Sequence, residues 1–95
     1  MLLMIVEQFK NEDPLPVRER FLRCGRLLPG GLTYLHSWID EVRGRCFQVM
    51  EAEGEAVLDA WMSRWSDIID FEVVPVVSPV DYWSRIGDSD GTPRA

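Results

Sequence analysis

The strand-like segments of this chain carry large apolar side chains on both of their faces, and nothing else in the sequence restricts the fold as much. In "LLMIVEQF", residues 2–9, Leu2, Met4 and Val6 point one way and Leu3, Ile5 and Phe9 the other, because strand side chains alternate. In "FEVVPVV", residues 71–77, Phe71, Val73 and Val77 oppose Val74 and Val76. Tyr34 and Trp38 oppose Leu35 and Ile39 in "LTYLHSWID", and Phe47 and Val49 oppose Cys46 and Met50 in "RCFQVMEA". Such a sheet needs a cover on each side. Each large apolar side chain left in water forfeits roughly 1.5–3 kcal/mol of burial. Together they would also exceed the exposed patch of roughly 300–600 Å² that monomers tolerate.

Two helical patterns separate these strands. Asp13 can cap and Pro14 suits a first helical turn, after which Val17, Phe21, Cys24 and Leu28 recur at helical spacing. "PGG" at 29–31 is expected to end that helix, and Gly25 within it suggests close helix–sheet contact. "GEAVLDAWMSRWSDIID", residues 54–70, gives a second helix with a broad stripe of Val57, Leu58, Trp61, Met62, Trp65 and Ile68. "SPVDYWSRI" supplies a short terminal helix. Residues 1–87 read as one domain, and 88–95, polar and rich in small residues, as a disordered tail.

The order strand, helix, strand, strand, helix, strand is that of the α+β ferredoxin-like βαββαβ fold. Its four-stranded antiparallel sheet has the first and third strands central. Pro75, which cannot donate to a ladder, assigns the last strand to a sheet edge or a bulge, and this fold places it at an edge. Both helices of such a fold lie on one side of the sheet. One or two terminal turns cannot roof the other, so a second copy, sheet against sheet about a two-fold axis, is expected to do so. The expected partner is therefore the chain itself.

Charge narrows the remaining classes. The net charge is −6 and the basic residues do not cluster, so a nucleic-acid or anionic-membrane partner is not expected. Cys24 and Cys46 are too far apart for a zinc or redox motif and read as reduced core residues. The opening "MLLMIV" lacks a basic leader and is far shorter than a membrane span, so a soluble cytoplasmic protein is expected. A lone histidine gives no metal-site signal, and no cofactor is indicated.

The candidate site residues lie mainly in the hairpin. With Asp40 opposite Arg45, Trp38 faces Phe47, Ser37 faces Gln48, His36 faces Val49 and Tyr34 faces Glu51. That register gathers Tyr34, His36 and Glu51 on one face, and a histidine beside a carboxylate can move a proton near neutral pH. A half-exposed edge histidine and a strand-end glutamate explain the same residues without catalysis. Trp61 and Trp65, one helical turn apart, could floor an apolar pocket or simply fill the core.

"SWID", "RCFQVMEA" and "WMSRWSDIIDFEVVPVV" together resemble the signature of domain-of-unknown-function family 3303, a small bacterial family. Its members are similar to the dimeric α+β barrel proteins. The resemblance runs from the first strand to about Val77 and implies a ferredoxin-like fold and a face-to-face dimer. It carries over no catalytic residue. The wider barrel group includes cofactor-free monooxygenases, isomerases and ligand-sensing domains, and analogy with it directs attention to a cleft between sheet and helices. Trp38, Gln48, Trp61 and Trp65 are the ligand-binding candidates on that analogy. Binding of a small organic molecule, an enzyme using His36, and a regulatory interaction module are the three expected functions, in that order.

Overall fold

The computed structural model describes residues 1–87, so the expectation of a disordered tail at 88–95 lies outside the described residues. The elements are β1 (Leu2–Phe9), α1 (Leu15–Cys24), β2 (Leu32–Asp40), β3 (Arg45–Ala52), α2 (Glu55–Ser63), β4 (Ile69–Pro75) and α3 (Pro79–Arg85). One antiparallel sheet has the order β2-β3-β1-β4, with the apolar β1 central and the proline-bearing β4 at an edge. The chain has the expected α+β, ferredoxin-like fold. Pro75 occupies the last rung of the β1–β4 ladder, opposite Leu3, where a missing N–H disrupts least.

The core lies on one side of this sheet. Leu3, Ile5, Phe9, Met50 and Ile69 point to that side and bury against Leu58, Trp61 and Trp65 of α2 and the turn after it. The opposite side carries Val6, Phe47, Met4 and Val49 at its centre, with Trp38 54 % exposed beside Phe47. The protein measures 17 Å through its thinnest direction, room for a sheet and one helical layer. Helix α3 does form, with Ser78 Oγ accepting from the Asp81 amide, but its Val80 and Tyr82 and the following Ile86 are exposed, and Trp38 and Val74 on the second side remain exposed with it in place.

Three local expectations are corrected. Helix α1 ends at Cys24 rather than at 29–31, because Gly25 takes φ 70° and caps it. A Cβ on Gly25 would meet nothing within 4 Å, so backbone conformation accounts for the residue and close packing does not. Helix α2 stops at Ser63, and residues up to Ile68 form turns, including Trp65 N–H to Met62 O and Ile68 N–H to Trp65 O at 3.0 Å. Strand β4 consequently starts at Ile69, two residues before the expected Phe71.

In the hairpin, Asp40–Arg45, Trp38–Phe47, Ser37–Gln48 and His36–Val49 pair as expected. A bulge at Leu35 then shifts the ladder, so that Tyr34 opposes Met50 and Thr33 opposes Glu51. The expected Tyr34–Glu51 rung does not form. The inserted residue turns Tyr34 to the helix side while His36 stays on the open side.

Candidate functional site

Strand alternation places Glu7 among Leu3, Ile5 and Phe9 on the helix-facing side of the central strand, and Gln48 between Cys46 and Met50 on the same side of β3. Both are buried, Glu7 being 4 % and Gln48 7 % exposed. Apolar neighbours alone cannot satisfy them, so they bond to each other: Gln48 Nε2 donates a hydrogen bond to Glu7 Oε2. Gln48 Oε1 is buried and has no partner.

Above this pair the layers do not close. Helix α1 buries none of its residues fully, and a cleft of about 460 Å³ lies between it, the sheet, and Trp61 and Trp65 at the end of α2 and in the turn after it. Phe9, Phe21, Ile39, Trp61 and Trp65 form most of its apolar lining, and Glu7, Ser37, Gln48 and Cys46 supply the polar part from the sheet. Arg18 and Arg26 line it from the α1 side.

The turn after α1 is fixed by its carbonyls. Trp61 and Trp65 both donate their indole N–H to Arg26 O, each at 3.0 Å, and Arg64 Nη1 donates to Leu27 O at 2.6 Å. Leu27 is thereby held at φ 60°, a conformation unfavourable for a side-chain-bearing residue. With its backbone anchored, Arg26 lays its guanidinium 3.6 Å from the Tyr34 ring centroid and 5.2 Å from that of Phe21. Tyr34 in turn shares a 2.6 Å hydrogen bond with Ser37 Oγ.

Burial dominates the electrostatics. It pushes the Glu7 carboxyl from its ordinary 4.5 up to about 7, against the smaller opposing effects of the Gln48 hydrogen bond and the Arg26 charge. Cys46, opposite Glu7 in the ladder, is pushed up to about 12 by burial and by the Glu7 charge, which leaves it an inert thiol. A carboxyl divided between its two forms at neutral pH can accept or give a proton inside the cleft. That combination of cleft and displaced carboxyl is typical of functional sites.

The predicted residues separate into two groups. Gln48, Trp61 and Trp65 line the cleft. Trp38 lies on the opposite, open side, with its ring edge-on to His36 at 4.5 Å between centroids. Tyr34, His36 and Glu51 are not brought together: Tyr34 faces the helices, His36 is exposed beside Trp38, and Glu51 pairs with the Met1 amino group at 2.8 Å. Among the described residues no group of three or more His, Cys, Asp or Glu side chains is arranged to hold a metal ion, and no helix is long and apolar enough to cross a membrane.

A family model described as a domain of unknown function, DUF3303, matches residues 1–88. The chain belongs to the DUF3303 family. No curated protein and no solved structure matches it. In this DUF3303 chain the cleft-lining residue that sequence reasoning passed over is Glu7. Its signal was present, since a carboxylate at an interior, core-facing position of an otherwise apolar central strand is the informative exception to burial rules.

Proposed function

We propose that this protein binds a small organic molecule in the cleft between its sheet and helices α1 and α2. The observation that carries the reading is the cleft itself: about 460 Å³ with aromatic walls and a buried Glu7–Gln48 pair on its floor. This volume falls within the range of small-molecule pockets, and the few convergent polar groups match their composition. A protein serving only as an interaction module has no need of such a space. The enzyme reading based on His36 loses support, because His36 lies across the sheet from the cleft.

The binding unit in this reading is a homodimer, with the open sheet faces packed together. On that face the rungs Trp38–Phe47–Val6–Glu72 and His36–Val49–Met4–Val74 form a band that is apolar at its centre, with His36 on one edge strand and Glu72 on the other. Asp40, Arg45, Gln8 and Asp70 border it at one end, and Thr33 and Glu51 at the other. An apolar centre with a polar margin is the anatomy of a protein interface. The exposed thiol of Cys24 and the unpaired Cys46 favour a reducing, cytoplasmic setting.

Native mass spectrometry of freshly purified protein tests the binding reading. A small organic mass retained by the protein is expected, and Trp61→Ala or Phe9→Ala should release it. Absence of any retained mass, together with no saturable binding of a naphthalene probe, would refute the reading.

A further inference from the structure

We infer that the Glu7–Gln48 pair selects an aromatic ligand carrying hydrogen-bond donors, hydroxyl or N–H groups, along one edge, and that such a ligand binds when Glu7 is ionised. The inference rests on the cleft being the binding site and deepens it by naming the ligand class. Two features point to donors.

Gln48 spends an amide hydrogen on Glu7 Oε2, so its carbonyl is oriented away from that contact, buried and without a partner. An unsatisfied buried acceptor is costly to the fold, and a ligand donor would recover that cost. The neighbouring carboxylate, once ionised, is also an acceptor only. Gln48 and Glu7 both line the cleft, with the Ser37 hydroxyl beside Gln48, so a ligand that reaches the unpartnered carbonyl and the carboxylate meets them with donors along one edge. The walls specify the rest, because Phe9, Trp61 and Trp65 favour a flat ring system.

The charges around Glu7 favour a neutral donor over a cation. Arg18 and Arg26 approach the cleft from α1 and the turn after it, and Cys46 faces it from β3 as a neutral thiol. Strand β4 contributes Ile69, and α2 with its following turn contributes Trp61 and Trp65, none of which titrates. Both guanidinium groups line the cleft and oppose an ammonium or amidinium ligand, and Arg26 supports the ionised carboxylate that a phenolic O–H or aryl N–H requires.

Linkage gives the pH dependence. Glu7 titrates near 7, so lowering the pH from about 8 to about 6 reduces its ionised fraction, and hence the affinity, about tenfold. The direct test is calorimetric titration of the full chain with 2,3-dihydroxynaphthalene and with its donor-less dimethyl ether, at both pH values. The diol is expected to bind at least about tenfold more tightly at about pH 8, with most of that preference gone at about pH 6. Glu7→Gln preserves side-chain size and removes the charge, so its affinity for the diol should be independent of pH. Gln48→Leu should narrow the preference for the diol over the ether. Equal binding of diol and ether to the natural protein would overturn the inference while leaving the cleft as a binding site. A diol preference with the same pH dependence in Glu7→Gln would overturn the role of Glu7. Binding of neither probe would remove the cleft reading, and this inference with it.

Discussion

Glu7 shows how one side chain can weaken a fold in order to equip it. A carboxylate in the core of a central strand must shed its hydration, and one hydrogen bond from Gln48 does not replace it. With its folded pKa raised to about 7 from 4.5, the folded protein holds a proton that the unfolded chain has already released between those values. Stability contributed by the protonated form is therefore complete below about pH 4.5, declines as pH rises to about 7, and stays at its lower level above that. A displacement of that size amounts to about 3 kcal/mol. Glu7→Gln should accordingly raise the melting temperature near pH 8 and change it little near pH 4.5, as thermal denaturation followed by circular dichroism at the two pH values would record. An equal shift at both would show that the carboxyl is not penalised by burial. The residue was legible as a polar interruption of "LLMIVEQF", but its partner was not: only the observed β1–β3 register, Ile5 against Gln48 and Glu7 against Cys46, brings the two polar side chains together.

At the level of elements, the sequence conveyed periodicity well and separation poorly. Of the stripe Val17, Phe21, Cys24 and Leu28, only Val17 and Phe21 line the cleft, Phe21 staying 42 % exposed; Cys24, expected in the core, is exposed, and Leu28 lies beyond the end of α1. The hairpin register followed from the Asp40–Arg45 pairing as far as His36, and the bulge at Leu35, which no local residue announces, moved Tyr34 to the other face. Since α1 gains little from packing, its attachment depends on specific polar contacts. Arg20 bonds both Asp67 carboxylate oxygens, at 2.7 and 2.6 Å, and donates to Arg64 O at 2.8 Å, linking the middle of α1 to the turns after α2. Removing this clamp with Arg20→Ala should speed hydrogen exchange in α1 several-fold while β1 and β3 keep their protection. It should also raise the dissociation rate of any cleft ligand, because α1 is a wall of that cleft. Uniform acceleration across the sheet would mean instead that α1 is part of the global folding unit.

For the molecule as a whole, the two-faced strands set a problem that the folded protomer solves on one side only. Trp38 and Val74 remain exposed on the other, and α3 leaves its own apolar residues in solvent. Val6 gives the sharpest test of what covers that side, since it sits between Phe47 and Glu72 near the centre of the apolar band. In an isolated protomer a lysine at this position could reach solvent and lie beside Glu72, so Val6→Lys should leave the fold intact. In a two-fold dimer the same substitution enters the interface twice, once from each copy, because an isologous contact repeats every change. Two desolvated ammonium groups near the axis should weaken association by at least about 100-fold, roughly 3 kcal/mol. Sedimentation at micromolar concentration is then expected to show the natural protein at twice the 11.0 kDa protomer mass and Val6→Lys at 11.0 kDa, with matching circular dichroism spectra. A natural protein that sediments at 11.0 kDa would leave the apolar band without a partner copy and refute the dimer. The cleft, built entirely from residues of one protomer on the opposite side of the sheet, would survive that result, which keeps assembly and binding separately testable.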